Sequence, residues 1–437
     1  MTAGGKRVTA YAKSSVVSTK PVRPGKTYPL SELDHGMERH SLHMVFYYRS
    51  GSKLERTRLK ESMSELLWYF PATTGRMNWD EGGKRWVVKC NDAGVRVVDA
   101  RAEATVDEWI ATATAAEERE LVHWEPMGND SSIWSTFYVQ ITEFKDKGFA
   151  IGLSCTHMHS DPTCATLLIK AWGDCHRRAA IANPPFFHPP ALIPRPNANP
   201  SSPLLSLKSS TTTTTSAAGS IFSAATFRFP TAAVRSLLAD LPPDSTPFDA
   251  LAALFWLSIS RANSTSLSSL TLVTDFRKRM YAPLPHGFYG NAAHFSSVEL
   301  DPAAGWTSVA NSIGRHVAGL EEEEYWSAIE WLAARRVGGA GAGAFQMYGP
   351  ELTCLKLDHV MAYAAEMEEG VGPAHVSCWI GGAEGNGIIT VLPASAAAEE
   401  KDARTVEVVL PAVVAEKVCK DEEILRHGPT VIFSGKI

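Results

Sequence analysis

Residues 149–172, FAIGLSCTHMHSDPTCATLLIKAW, change hydrophobic period within a few residues. Phe149–Thr156 is a compact apolar run that stops at a polar knot, His157-Met-His-Ser-Asp161. A run of that length bounded by turn-forming residues predicts a strand. Beyond Pro162, the residues Ala165, Leu168, Ile169 and Trp172 fall at helical spacing, which predicts a helix with one buried face. Asp161 followed by Pro162 is the grammar of a helix start, with Asp161 as N-cap and the proline at the first helical position. His157 is therefore predicted on the short turn where a strand gives way to a helix, a place where folds commonly present chemistry.

The same reading applied to the rest of the chain predicts strands over His43–Tyr48, Trp86–Cys90, Phe137–Ile141, Ala225–Phe229 and Leu270–Asp275. Helices are predicted over Arg56–Leu67, with Leu59, Met63, Leu66 and Leu67 along one face, and over Phe248–Arg261. This mixture predicts an α/β (α+β) protein. Between Pro184 and Ser220 periodicity is lost in a Pro-, Ser- and Thr-rich stretch that reads as a long crossing loop. The plainest organisation is two α/β halves joined by that loop: 1–195, the crossover 196–220, and 221–437. A second connection is expected at Val337–Ala344, VGGAGAGA, which lacks the Lys-Ser/Thr or GxGxxG spacing of a phosphate loop.

Composition narrows the class. The 437 residues are 45% hydrophobic and 20% charged, the balance of an ordinary globular protein. A formal charge of −5 argues against a general nucleic-acid binder. Seven scattered cysteines form neither a disulfide framework nor a zinc-type spacing. The start, MTAGGKRVTAYAKSS, lacks the apolar core of a secretory signal, and no apolar stretch is long enough to span a bilayer. A cytoplasmic location without a transmembrane segment is the expectation.

His157 and Asp161 form an H-x-x-x-D pattern. An imidazole titrating near neutrality suits a general base, while the aspartate suits a structural cap. The bland reading of the same residues is a strand-end histidine satisfied by a main-chain bond. His159 lies two residues on, but no third ligand at a suitable spacing accompanies it, so no metal is expected. The nucleophile elbow G-x-S-x-G is absent.

A second stretch, Asp275–Asn291 (DFRKRMYAPLPHGFYGN), follows the histidine motif by roughly a hundred residues. Together the two resemble the plant BAHD (HxxxD-motif) acyl-CoA-dependent acyltransferase superfamily. Asp275, Arg277, Arg279, Pro283, Leu284, Pro285, Gly290 and Asn291 match its arginine motif, with Ala282 in place of the first proline. Leu30-Ser31 with Leu33-Asp34, Gly75-Arg76, CNDAGV at Cys90–Val95 and TPFDALAALFW at Thr246–Trp256 extend the resemblance along the chain. The resemblance implies two chloramphenicol-acetyltransferase-like domains joined by a long crossover loop, with a channel between them. It implies a monomer, no bound cofactor and no metal, with acyl-CoA as co-substrate and a small-molecule acceptor as second substrate. His157 would be the base that deprotonates a hydroxyl or amine acceptor. Asp161 would face away from substrate and pair with an arginine of the downstream motif, Arg279 rather than Arg277.

The family's second signature, D-F-G-W-G, is degenerate here. It falls in Met367–Pro373, where Glu368, Gly370 and Gly372 are the matching positions and both the aspartate and the tryptophan are lost. Thr353-Cys354-Leu355 stands where the family carries Ser/Thr-Ser-Trp, leaving Thr353 as the candidate support for the thioester oxygen. A degenerate signature beside an intact histidine resembles the eceriferum-like (glossy-type) branch of cuticular wax biosynthesis. The stretches KSSVVSTKPVRPGKTYPLSELDHGM and VQITEFKDKGFAIGLSCTH lean the same way. Two functions of different class follow from the resemblance. One is acyl transfer; the other is non-catalytic partnership with a fatty-acid elongase condensing enzyme in very-long-chain fatty-acid synthesis, associated with the endoplasmic reticulum through that partner.

Overall fold

The computed structural model describes residues 6–23, 25–49, 54–187, 192–196, 221–263, 267–337, 346–395 and 397–437. All but the first residue of the expected 196–220 crossover, and nearly all of the glycine-rich Val337–Ala344 connection, lie outside the described residues.

Among the described residues the strands form three sheets. The first runs in the order β1 (Val8–Val16), β6 (Val95–Ala102), β7 (Phe137–Glu143), β8 (Phe149–Thr156), β3 (Ser41–Tyr48) and β13 (His375–Gly381). The second runs β11 (Ala293–Glu299), β10 (Ser269–Asp275), β12 (Thr353–Lys356), β14 (Ile388–Pro393), β15 (Arg404–Pro411), β9 (Phe222–Phe229) and β16 (Thr430–Lys436). A small third sheet joins β2 (Thr27–Pro29), β5 (Arg85–Lys89) and β4 (Arg76–Asp80). The mixed α/β class read from the sequence is the observed one.

Every residue of β3 and β8 is buried, because this sheet is covered on both faces. Alternation sorts the two coverings. Met44, Phe46 and Tyr48 of β3, with Ile151, Leu153 and Cys155 of β8, share a core with the helices Arg56–Leu67 and Pro162–His176. The intervening Val45, Tyr47 and Ala150 meet Val409, Ile432 and Phe433 of the second sheet. The helix Pro247–Ala262 is also buried nearly all round; Thr246 closes a capping box with Asp249, and the helix Trp306–Gly319 covers it.

One strand crosses between the halves. β13 comes from the second half of the sequence, yet it pairs antiparallel with β3, from His375 opposite Tyr47 to Gly381 opposite Ser41. The first sheet is thus completed by residues more than three hundred positions away. No helix among the described residues is long and apolar enough to cross a membrane.

Candidate active site

β8 ends at Thr156, and the chain turns at once, with the His159 amide donating to the Thr156 carbonyl (3.1 Å). Asp161 is extended and its Oδ1 accepts from the Cys164 amide at 2.9 Å, capping the helix Pro162–His176. The predicted strand, turn, cap and helix are all present.

His157 is fully buried on this turn. Its amide donates to the His40 carbonyl (3.0 Å), and its carbonyl accepts from Asn291 Nδ2 (2.8 Å). Asn291 also donates through Nδ2 (2.8 Å) and its amide (2.9 Å) to Asp34 Oδ1. Asp34 is in turn fixed by a capping box with Ser31. Residues from two distant stretches, 31–40 and Asn291, therefore hold the histidine main chain from both sides.

The ring is held by Tyr348. Its Oη lies 2.9 Å from His157 Nε2. Burial lowers the His157 pKa, an effect its own main-chain carbonyl and Asp161 only partly offset. Burial likewise holds the Tyr348 phenol well above its ordinary range. With the imidazole neutral and the phenol protonated, the direction of this bond follows the tautomer: Nε2 accepts from the Tyr348 hydroxyl when the ring proton is on Nδ1, and donates to it when the proton is on Nε2. In the Nδ1–H tautomer Nε2 is the basic nitrogen, and in either tautomer it points at a hydroxyl.

Asp161 corrects one expectation. Its carboxylate pairs with Arg277, not Arg279: Arg277 Nη2 lies 3.1 Å from Oδ1 and 2.9 Å from Oδ2. The same guanidinium pairs with Asp275 and donates to the Gly290 carbonyl (2.7 Å). Burial by itself lowers the Arg277 pKa, but Asp161, Cys164 and Asp275 outweigh it and raise the value. The physical reason for the exchange is a turn. The Arg277 amide is tied to Asp275 Oδ1 (2.8 Å), while the Arg279 amide closes a turn onto the Phe276 carbonyl (2.9 Å). Two residues on, the chain has reversed, and exposed Arg279 donates instead to the Val317 carbonyl (2.7 Å) at the end of the helix Trp306–Gly319.

The other candidates are placed as follows. His159 is buried, with Nε2 3.1 Å from the Ala72 carbonyl and its ring edge-on to Phe137, as a core histidine. Among the described residues no group of three His, Cys, Asp or Glu could hold a metal ion. Thr353 opens β12, and its hydroxyl turns to the Glu351 carbonyl (3.4 Å) rather than to His157. Glu368 pairs with Val371 across a tight turn in which Gly370 has φ +72°. This loop adjoins the C-terminal end of the helix Pro162–His176, where Arg177 donates to the Glu366 carbonyl. Fifteen residues of helix put it roughly 22 Å from the turn that carries His157.

A cavity of about 290 Å³ opens beside the Asp275–His286 stretch, lined in part by Thr163, Lys278, Arg279, His286, Lys356 and His359. A smaller space of about 20 Å³, room for roughly one water, adjoins it and is lined by Asp161, Thr163, His359 and Tyr348 among others. His157 lines neither space. Three residues that shape the site carried no assigned role in the sequence reading. Asp34 and Asn291 stand inside matched stretches, but a string match does not say that two residues 257 positions apart face one another. Tyr348 stands in no motif at all.

A model of the Transferase family matches residues 6–331. "Protein ECERIFERUM 26-like" from Arabidopsis thaliana is 26% identical over 428 residues, 95% of this chain and 95% of its own length. "Hydroxycinnamoyltransferase 1" from Oryza sativa subsp. japonica is 30% identical over 304 residues, 64% of this chain and 68% of its own. The crystal structure of vinorine synthase superposes with a TM-score of 0.72 over 94% of this chain and 96% of that one, at 17% identity, a likeness of fold. With the His157–Asp161 turn and its buried arginine in place, the chain belongs to the Transferase family, the BAHD acyltransferases, whose co-substrate is acyl-CoA.

Proposed function

We propose that this chain moves an acyl group from acyl-CoA to a hydroxyl or amine acceptor, with His157 as general base. The observation that carries the reading is the state of His157: neutral through burial, anchored at both main-chain ends, and with Nε2 2.9 Å from an O–H. A base must lie about 2.6–3.2 Å from the atom whose proton it removes. An acceptor hydroxyl in that position would give its proton to Nε2 as its oxygen attacks the thioester carbonyl. The tetrahedral intermediate then collapses, the C–S bond breaks, and the imidazolium returns the proton to the departing sulfur. A thioester is already activated, so neither a metal nor a covalent acyl-enzyme is needed. Lys278, Arg279, His286 and Lys356 around the larger cavity suit the phosphates of a CoA ester. Asp161 and Arg277 serve as scaffold, and the Glu368–Gly372 loop, at the far end of a helix from the base, serves as a structural turn. Residues 1–195 and 221–437 would act as the two acyltransferase-like halves of a monomer.

The test is release of free CoA from a panel of acyl-CoA esters with hydroxyl and amine acceptors. His157→Ala should lower transfer by about 10²–10⁴-fold, the usual worth of a positioned base, with an unchanged circular-dichroism spectrum. Equal activity in both proteins would remove His157 from the chemistry.

A second reading is favoured by the relationship to an ECERIFERUM 26-like protein along nearly the whole chain, together with the lost second signature. In it the chain assists a fatty-acid elongase condensing enzyme in very-long-chain fatty-acid and cuticular wax synthesis, at the endoplasmic reticulum and without transferring acyl groups itself. Expression of wild type and His157→Ala in a host with an elongase separates the two. A chain-length shift that survives the substitution, with no CoA release by the purified protein, selects the partner role.

A further inference from the structure

We propose that Tyr348 is a built-in occupant of the acceptor position: its phenol stands where the acceptor hydroxyl would stand, and His157 is closed to acceptors until that side chain turns away. The proposal deepens the general-base reading and rests on it for its functional meaning, although the occupancy itself is testable without any transfer activity.

Three observations converge. In the Nδ1–H tautomer, the one a general base at Nε2 requires, the neutral imidazole has one in-plane lone pair, so it serves one donor at a time. That donor is then Tyr348 Oη at 2.9 Å, within the separation a base needs from the atom whose proton it takes. Second, Tyr348 lines the small space that adjoins the cavity through the shared residues Thr163, Asp275, Lys356 and His359, while His157 lines neither. Third, the ring is held rather than loosely placed. It is almost wholly buried, packed edge-on to His40 (centroids 4.9 Å apart) and to Phe295 (5.1 Å), and tilted against the His157 ring (5.7 Å). A phenol at this point also keeps water away from Nε2, which would protect an acyl-CoA from hydrolysis while no acceptor is bound. The acceptor it admits must present a hydroxyl or amine together with enough apolar surface to displace an aromatic ring.

The experiment compares wild type, Tyr348→Phe and Tyr348→Leu. Each is treated with diethyl pyrocarbonate, and modification of His157 is measured by peptide mass spectrometry relative to exposed His286 in the same molecule. In wild type His157 should react far more slowly than His286. Tyr348→Phe keeps the ring but loses the hydroxyl, and should raise the ratio up to about tenfold, the factor associated with one buried hydrogen bond. Tyr348→Leu, which also vacates ring volume, should raise it further. The same proteins are assayed for CoA release from acetyl-CoA without acceptor, where Tyr348→Leu should hydrolyse the ester and the Tyr348→Leu, His157→Ala double variant should not. If modification rises but no protein releases CoA, the occupancy stands and the general-base reading falls. If His157 reacts as fast as His286 in wild type, or the ratio is unmoved in the Phe variant, the proposal is overturned. The conservative Phe variant decides the matter should the Leu variant fail to fold.

Discussion

Replacing Arg277 and Arg279 one at a time separates two residues that a motif string treats alike. Arg277 is buried and its guanidinium is shared by Asp161, Asp275 and the Gly290 carbonyl. Arg277→Ala strands two carboxylates, and removing one partner of a buried ion pair costs about 3–5 kcal/mol. Arg279 is exposed and donates to carbonyls at the end of the helix Trp306–Gly319, a contact worth about 0.3–1 kcal/mol before solvent screening. Unfolding entropy scales to about 0.9 kcal/mol/K for 437 residues unfolding as one unit, so each kcal/mol moves Tm by about 1 °C. Differential scanning fluorimetry should then show a fall of about 3–5 °C for Arg277→Ala and about 1 °C or less for Arg279→Ala. Asp161→Asn keeps a competent helix cap, because Asn and Asp cap about equally, but loses the charge opposite Arg277. Its fall should lie between the two, and it should be non-additive with Arg277→Ala in the double variant. Equal shifts for the two arginines, or full additivity of Asp161→Asn with Arg277→Ala, would refute the pairing.

Two further expectations test the surroundings of the site. Between the sheets, Glu118 accepts from Tyr47 Oη (3.1 Å) and from the Ser377 hydroxyl, while Glu407 accepts from the Cys378 amide (3.2 Å). Burial pushes the Glu118 carboxyl up to about 7 and Glu407 up to about 8, from an ordinary 4.5. The folded state therefore holds these protons more tightly than the unfolded chain, and their contribution to stability is lost as pH rises from about 4.5 through about 8. Glu407→Gln should gain stability over wild type progressively between those limits in urea melts followed across pH; a gap independent of pH would contradict the assignment. Asn291→Ala should leave the His157 carbonyl without its side-chain donor and Asp34 Oδ1 with only the main-chain amide, at about 1–3 kcal/mol for each group left unsatisfied. Transfer should fall through kcat rather than KM, and an unchanged kcat would show that the turn holds His157 without it.

Much of the site was legible because it is local. A compact apolar run giving way to helical spacing, with Asp161-Pro162 between them, places His157 on a strand-to-helix turn through contacts a few residues apart. The helix Arg56–Leu67 has the bounds its apolar spacing predicts; β10 starts one residue earlier than expected, and the helix Pro247–Ala262 is one residue longer at each end. The two arginines show where such reading stops. Both match the motif, but which one turns inward is settled by the turn from Phe276 to Arg279 and by the carboxylates waiting on one side of it.

The sequence by itself determined the fold class, the turn that carries His157, the capping role of Asp161 and the family that these imply. Tertiary structure decided the rest: that β13 crosses to complete the first sheet, that Asn291 and Asp34 fix the His157 main chain, that Arg277 is the buried partner, and that Tyr348 occupies Nε2. The physical reason is range. Periodicity and capping report which face of an element is apolar and where it starts, since those are properties of neighbours along the chain. They do not report what covers that face. Tyr348 lies 191 residues from the histidine it meets, and only the tertiary fold brings the phenol to the base.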